Sequence, residues 1–453
     1  MRTCGYAMLG LVLSACAGPK PALAPGAAIV VPADWRSAGL GTRAMEARWW
    51  EQFQDPALNA LVERALAGNV DLLIAGSRIA EARAQFRLAA SRTRPSVDLT
   101  VGGGESRSVN ALGKGLDQTQ ASGELSVAYE LDLFGRLSAA TDARRQALKA
   151  TGFARDATRI ALISTVVSGY VGLLALDERL QIATGTVSSR AEELTVLRRR
   201  STSGYASSLD LTRAEAEYQA VARLVPAGRL AIARQESALS VLVGAAPGAI
   251  ARGAGFDRLQ AVDIPASLPS TVLRQRPDVV EAETQIVVAD RSLDAARAAF
   301  MPRIQLSAAG GGVVSTALTG PISLFSIGGS ILAPLFRGGA LRAEADAAAA
   351  RRDQAAFAYR GVVLAAFKEV EDAMAGVDRV GEEQETAERQ VAFVRTAFDL
   401  SRRRYRAGYS SYLDQLDAER SLLEAQLQLI DLRMDRMVAV IALYRSLGGG
   451  WRQ

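Results

Sequence analysis

The chain carries one polar motif twice, about 204 residues apart. The first copy, RRRSTSGYASSLD, begins at Arg198, and the second, RRRYRAGYSSYLD, begins at Arg402. The copies align without a gap over the pairs Gly204 and Gly408, Tyr205 and Tyr409, Leu209 and Leu413, and Asp210 and Asp414. A repeat of this length means that both halves supply the same elements to one body, so 453 residues do not imply several independent domains.

Each copy is predicted to form the tip of a helical hairpin. Gly204 and Gly408 permit the left-handed backbone turn that reverses a helix. Any helical hairpin needs such a turn, so one interpretation is that the motifs are only turns. Turn chemistry does not require the recurring tyrosine, leucine and serine. The predicted serine pair is Ser207 in the first copy and Ser410 in the second. The recurrence of these three residue types indicates that the two tips do more than reverse the helix.

Residue usage excludes several classes of protein. The chain has no histidine, which removes the commonest general base and the commonest transition-metal ligand. The 53 basic and 48 acidic residues leave a net charge of only +5 without a long basic block, so nucleic-acid binding is not predicted. Neither a nucleophile elbow nor a phosphate-binding loop occurs in the sequence. We therefore predict neither an enzyme nor a cofactor.

The two cysteines belong to the beginning of the chain. Cys4 and Cys16 both lie in residues 1–16, which leaves no disulfide or cysteine metal site for the body. An apolar stretch followed by the motif LSAC resembles a bacterial lipobox, in which Cys16 would be acylated. The alternative is an ordinary signal peptide with an incidental cysteine. Acyl chains would anchor the protein without a spanning helix, and Ala17, in place of an aspartate, favours sorting to the outer membrane.

The remaining boundaries follow from composition and from the repeat. Each repeat is predicted to contain a helix, two strands, a long helix, the tip and a shorter return helix. The predicted segments are an extended linker over residues 17–47, a first repeat over 48–244, a Gly/Pro-rich connector over 245–269, a second repeat over 270–448 and a short tail over 449–453.

The helices are predicted from capping signals and heptad spacing. Asp55 before Pro56 is a typical helix start, and this helix is predicted to run to about Arg94. The two longest helices, Arg136–Arg200 and Gly338–Arg404, each span about 65 residues, or about 100 Å. Both helices have a period close to seven residues, with apolar residues at every repeating position except Gln384, which predicts helices coiled around neighbours. These positions are Val166, Leu173, Leu180, Val187 and Leu194 in the first helix, and Val370, Val377, Gln384, Val391 and Phe398 in the second.

Two pairs of segments alternate between apolar and small or polar residues, as strands do. They lie around Val97–Gly104 and Leu125–Leu131 in the first repeat, and around Ile304–Ala308 and Ser323–Leu332 in the second. Four strands have two free edges, which a bilayer does not tolerate, and are too few to close a pore. We therefore predict that several copies pool their strands in the membrane, while the long helices project into an aqueous compartment.

Several motifs together resemble one family of membrane proteins. WWEQFQDPALNALVERAL, YELDLFGRL, RQRPDVVEAE and the two tips are similar to the TolC-like outer-membrane efflux factors, in the lipoprotein branch that includes OprM and NodT. The resemblance covers essentially the whole mature chain. It implies an α+β membrane channel, a homotrimer whose twelve-stranded β-barrel continues into a long periplasmic α-helical barrel, with four strands and paired long helical hairpins per chain.

The resemblance also implies a function and partners. The family conducts drugs or other small molecules passively to the exterior, from an inner-membrane transporter, here expected to be of the RND type, and a periplasmic adaptor. The adaptor would dock at the tip residues Gly204, Tyr205, Ser207, Leu209, Asp210, Gly408, Tyr409, Ser410, Leu413 and Asp414. The rival interpretation is a periplasmic coiled-coil adaptor or structural lipoprotein, which the two strand pairs oppose.

The second tip also matches the periplasmic constriction of the family. Leu413, Asp417 and Arg420 would form the gate, whereas the first copy places Arg213 opposite Asp417 and Ala216 opposite Arg420. The alternative for Asp417 and Arg420 is an ordinary surface ion pair three residues apart on a helix, worth about 0.2–0.5 kcal/mol.

Overall fold

A computed structural model of the chain describes residues 20–22, 24–36, 45–109, 113, 115–253, 255–259 and 269–451. The predicted signal peptide with Cys16 lies outside the described residues, as do parts of linker 17–47 and connector 245–269. The chain divides into two compact units, each built from three stretches of sequence. One unit comprises Met1–Ile29, Ser77–Phe153 and Val280–Gly361, and the other comprises Val30–Gly76, Ala154–Val279 and Val362–Gln453.

The first unit contains an antiparallel sheet in the order β1-β2-β3-β4. Each repeat supplies two adjacent strands: β1 is Ser96–Val109, β2 is Gly115–Leu131, β3 is Arg303–Ser315 and β4 is Ile322–Leu332. The register places Val97 opposite Val127 and Ile304 opposite Ile331, so apolar side chains share one face. Both predicted hairpins are confirmed, and β1 continues past its predicted end at Gly104. The edges of the sheet are β1 and β4.

The first helical segment differs from the prediction. The structure has two helices, α1 (Pro56–Gly68) and α2 (Val70–Ser91), where one helix to about Arg94 was expected. The chain is extended at Asn69, whose side-chain oxygen accepts a hydrogen bond from Leu72 N at 3.2 Å. Its amide nitrogen donates to the carbonyl oxygen of Leu242 at 2.9 Å. A polar side chain that caps a new helix and binds another one therefore breaks the predicted helix.

The long helix and return helices of the first repeat follow the strands. Helix α3 (Arg136–Thr202) has 67 residues and agrees with the prediction to within its last turn. The return segment is divided into α4 (Ser208–Ala222) and α5 (Leu224–Leu242), with the break at Arg223. Pro226 cannot donate a hydrogen bond to the carbonyl of residue 222 and its ring crowds that turn, so the helix is interrupted there.

The second repeat has the same order of elements. Helices α6 (Pro269–Gln275) and α7 (Pro277–Ala298) precede the strands, and α8 (Ala340–Arg406) and α9 (Tyr412–Ser446) follow them. Helix α8 also has 67 residues, as α3 does. The long helices predicted on both sides of the repeat are confirmed.

The heptad positions lie in the interior, as predicted. Val166, Leu173 and Val370 are fully buried, and the other predicted positions are buried or half-buried. Among the described residues, α3 carries the one helical stretch long and apolar enough to cross a membrane, and most of that stretch is buried inside the protein. Val167, Tyr170, Val171 and Leu174 of this stretch pack in the main hydrophobic core. The uncharged run Ile160–Leu176 is therefore part of a buried helix of the protein interior.

Polar contacts fix the start of α1 to that core. The carboxylate of Asp55 accepts hydrogen bonds from Ala57 N at 2.8 Å and Leu58 N at 3.1 Å, which confirms the predicted helix cap. The same carboxylate accepts a hydrogen bond from the Tyr170 hydroxyl at 2.9 Å, and that hydroxyl accepts one from Gly253 N at 2.8 Å. Three donors thus satisfy the buried Asp55 carboxylate, and the Tyr170 hydroxyl connects it to Gly253 N.

Candidate functional site at the helical tips

Both tips reverse the chain through a left-handed glycine, as predicted. The φ angles of Gly204 and Gly408 are +76° and +81°. Tyr205 N donates to the carbonyl oxygen of Arg200, and Tyr409 N donates to that of Arg404, each at 2.8 Å. A side chain on either glycine would have open space around it, so the backbone angle alone requires glycine. The repeated motif therefore encodes the same turn twice.

The outermost side chains of the tips are large and exposed. Tyr205 is 86% exposed and Tyr409 is 78% exposed, while Leu209 and Leu413 follow at the start of the next helices and are partly exposed. Local turn geometry does not need an aromatic ring in solvent at this position. The paired tyrosines are typical of surfaces that bind another protein.

The serines of the two tips correspond differently from the prediction. Ser207 caps α4 by accepting a hydrogen bond from Leu209 N at 3.1 Å. Its counterpart in the second tip is Ser411, which accepts from Asp414 N at 3.2 Å and caps α9. The pairing of Ser207 with Ser410 was wrong, because the repeat spacing that aligns the glycines places Ser411 at the capping position. The hydroxyl of Ser410 is buried and makes no hydrogen bond to the described residues.

Asp210 and Asp414 also differ in what they bind. Asp414 accepts a hydrogen bond from Ser411 N at 3.0 Å and completes a reciprocal capping box. Asp210 lies 4.0 Å from Arg213 in an ion pair on the same helix. The second tip is therefore the more firmly capped of the two.

The structure brings two of the three predicted gate residues together. A guanidinium nitrogen of Arg420 lies 3.6 Å from the Asp417 carboxylate, and both side chains are exposed. Arg420 also forms a hydrogen-bonded ion pair with Glu217 of α4, a contact that no motif in the sequence predicted. This hydrogen bond is the main cause that lowers the pKa of Glu217. Arg420 thus connects the two hairpins of one chain, while Leu413 lies one turn before Asp417 and is 38% exposed.

A buried ionic cluster lies directly behind the predicted gate. We name it the hairpin cluster: Arg190 and Glu193 of α3, and Gln415 and Glu419 of α9. Arg190 Nε lies 3.1 Å from a carboxylate oxygen of Glu419, and their side chains are 2% and 8% exposed. The Gln415 amide donates to Glu193 at 2.8 Å. The hairpin cluster therefore joins the first hairpin to the second through charges removed from water.

Burial dominates the protonation of this cluster. It raises the pKa of Glu419 to about 7, although the positive charge of Arg190 opposes the shift. Burial also raises the pKa of Glu193, again against Arg190. Within the described residues, one carboxylate oxygen of each glutamate makes no hydrogen bond, so the charged forms are incompletely compensated. The cluster is consequently sensitive to pH near neutrality.

One sequence signal could have revealed the cluster. Arg190 occupies an apolar position of the α3 heptads, between the buried Ala183 and Leu197. Leu197 packs with Leu194, Ala214, Tyr412 and Leu416 in a small core between the hairpins. An arginine in such a seam needs a buried acid opposite it. The sequence alone does not say which acid pairs with Arg190. Glu215 and Glu419 are equivalent in the repeat, yet Glu215 pairs with Arg198, at 2.9 Å.

A four-stranded sheet with an apolar face, two duplicated helical hairpins and exposed aromatic tips define an outer-membrane channel protein. The model of the outer membrane efflux protein family matches residues 61–245 and 268–449, one segment in each predicted repeat. The chain belongs to this family. It is an outer-membrane efflux channel, the outer-membrane component of a tripartite efflux system, which decides against the rival adaptor interpretation.

Individual relatives are similar to this chain over nearly its full length. The pyoverdine export outer membrane protein OpmQ of Pseudomonas putida is 32% identical, over 98% of this chain and 96% of the relative. The cation efflux system protein CusC of Escherichia coli O6:H1 is 34% identical, over 90% of this chain and 89% of the relative. The structure of the open MtrE outer membrane channel of Neisseria gonorrhoeae is 27% identical, with a TM-score of 0.82 over 95% of this chain and 98% of that chain.

Proposed function

We propose that three copies of the chain form a passive duct for small molecules that an inner-membrane transporter of the RND type delivers through a periplasmic adaptor. The observation that carries this proposal is the sheet, which has two unpaired edges, β1 and β4, and one apolar face. Unpaired strand edges are not stable in lipid, so β4 of one copy must pair with β1 of the next. Three copies supply twelve strands. The transporter and adaptor select the substrate, since the duct receives whatever they deliver.

A pair of adjacent substitutions tests the barrel. Ile327 lies on the apolar face of β4 opposite Ala308, and Ser326 lies on the other face. Ile327→Arg should greatly reduce the yield of trimer, because arginine facing lipid at mid-membrane costs about 2–4 kcal/mol per copy. Ser326→Arg introduces the same charge on the water-filled side and should assemble normally. The measurement is the fraction of heat-modifiable trimer in outer-membrane extracts, and equal yields from the two variants would contradict the barrel.

The tips are proposed to receive the adaptor. Tyr205→Ala together with Tyr409→Ala removes the exposed aromatic ring of each tip without disturbing a buried contact. We expect at least a tenfold loss of adaptor crosslinking and of drug resistance, with unchanged trimer yield, because aromatic residues carry much of the energy of protein interfaces. Phe393→Ala, an equally exposed ring on α8 away from the tip, is the matched control. Unchanged crosslinking in the double variant would show that the tips only reverse the chain and do not bind the adaptor.

The lipid anchor on Cys16 is proposed from the lipobox and from the position of the following residues. Lys20 binds Asp290 and Asp294 of α7, each at 2.8 Å. Arg352 donates to the carbonyl oxygens of Pro21 and Ala22 at 2.8 and 2.7 Å. Helix α7 leads into β3, so the first described residues after the lipobox are bound to the helix that enters the sheet.

Cys16→Ala should abolish acylation and slow signal-peptide processing, while the trimer still assembles because the strands hold it in the membrane. Metabolic labelling with palmitate is the measurement, and the unmodified chain is the positive control. Labelling that persists in Cys16→Ala would overturn the lipobox assignment.

A further inference from the structure

The non-lipid face of the sheet carries two acidic residues at mid-height. Side chains alternate across a strand, so Asp98 and Thr100 point away from the face that bears Val97, Leu99 and Val101. The register places Asp98 opposite Ser126 and Thr100 opposite Glu124. Glu124 in turn lies opposite Gly311 of β3. Asp98 and Glu124 therefore share one face and are flanked there by small, uncharged residues.

The height of these two residues follows from the apolar face. That face extends along the strands from the level of Leu131 and Ile304 to the level of Val314, about ten residues. At about 3.3 Å per residue and a strand tilt of about 40°, ten residues span about 25 Å of membrane. Asp98 and Glu124 lie beside Leu99 and Leu125, within this band. A carboxylate at this depth must face water, because exposure to lipid is costly.

The other charged groups of the sheet do not compensate them. Glu130, on the same face, is paired with Arg136 at 2.7 Å. Arg303 also lies on this face, eight residues before Gly311, or about 26 Å away along β3. This distance exceeds the screening length of about 10 Å in 0.1 M salt, so Arg303 does not neutralise the two carboxylates. Arg107 lies on the opposite face, where it pairs with Asp117 at 3.3 Å. The two carboxylates thus give the middle of this face a net negative charge.

We propose that Asp98 and Glu124 are the charge-selectivity residues of the duct, which favour cationic over anionic permeants within the barrel. The inference rests on the proposed trimeric barrel, in which three copies place six carboxylates around one aqueous lumen. Fixed charges of one sign in a confined aqueous space raise the local concentration of oppositely charged solutes. Neutral and zwitterionic compounds pass this level without preference.

The local potential can be measured without opening the periplasmic end. Ser126→Cys places a thiol directly opposite Asp98 and two residues from Glu124. Intact cells are treated from outside with a trimethylammonium-ethyl or a sulfonato-ethyl methanethiosulfonate, and the two rates of modification are compared. The chain without the added cysteine gives the background. The measured quantity is the ratio of the cationic rate to the anionic rate. We expect this ratio to be about tenfold higher for Ser126→Cys than for a free thiol in solution.

Neutralising the two carboxylates is the decisive variant. In the Ser126→Cys background, Asp98→Asn with Glu124→Gln should bring the rate ratio close to that of a free thiol. Glu105→Gln removes a charge from the opposite face of β1 and should leave the ratio unchanged. A ratio unaffected by the double substitution would overturn the charge inference while leaving the barrel intact. Failure of both reagents to reach the thiol would overturn the barrel and the inference together.

Discussion

Arg190→Ala should weaken the packing of the two hairpins near their tips by about 3–5 kcal/mol, because it leaves buried carboxylates without their cation. Arg190 lies against Glu419, and both are almost fully buried. Proteolysis of an opened segment follows the population of the open form, so about 3 kcal/mol corresponds to roughly a hundredfold faster cleavage. The measurement is the rate at which proteinase K cuts the assembled protein near Gly204 and Gly408.

Two variants control this result. Arg198→Ala breaks the exposed ion pair with Glu215 and should accelerate cleavage only slightly, since exposed pairs are worth about 0–1 kcal/mol. Arg190→Ala combined with Glu419→Gln should recover a large part of the resistance, because the second change removes the unpaired charge. Equal cleavage rates in Arg190→Ala and Arg198→Ala would show that the hairpin cluster does not hold the tips.

The same cluster predicts a pH dependence with a definite sign. Burial raises the pKa of Glu419 from 4.5 to about 7, so the folded tip binds a proton more tightly than the unfolded chain does. The resulting contribution to stability is complete below pH 4.5 and is lost as the pH rises through 7. Resistance to cleavage should therefore fall between pH 5 and pH 8, after correction for protease activity. Glu419→Gln should flatten this profile, and an unchanged slope in that variant would assign the titration to another group.

Substitutions in the predicted gate should have the second large effect, on the resting conductance of the channel. Leu413→Ala combined with Arg420→Ala should raise the resting conductance of the channel in planar bilayers by about ten- to a hundredfold. Arg420 holds Asp417 and Glu217, and because its own side chain is exposed, each pair is worth about 1 kcal/mol. Three copies of these contacts, with three leucines, could keep the inner end closed by a few kcal/mol, which a docked adaptor can overcome. Cells with the double variant should also become sensitive to vancomycin without a partner pump.

Glu217→Gln and Arg213→Ala separate the gate from general damage to the tip. Glu217→Gln weakens the hold on Arg420 and should raise conductance partway. Arg213 pairs with Asp210 on its own helix, so its replacement should leave conductance unchanged. Normal conductance in Leu413→Ala/Arg420→Ala, with normal trimer yield, would place the constriction elsewhere.

The sequence predicted those parts of the fold that depend on local chemistry. A glycine at a left-handed turn, an aspartate before a proline and alternating apolar residues each act within a few positions of the chain. Gly204, Gly408, Asp55 and the two strand pairs were therefore located correctly. Ser410 and Ser411 are adjacent serines, so residue type alone does not identify the counterpart of Ser207, whereas the repeat spacing assigns it to Ser411.

Tertiary structure decided the contacts that join distant parts of the chain. The break at Asn69 depends on the end of α5, and the partner of Arg420 is Glu217, which the sequence places 203 residues away. Glu215 and Glu419 occupy equivalent positions in the repeat, yet one forms an exposed pair with Arg198 and the other a buried pair with Arg190. The duplicated sequence fixes the elements of each half, whereas the choice of ion-pair partner depends on which helices meet and on how much water remains between them.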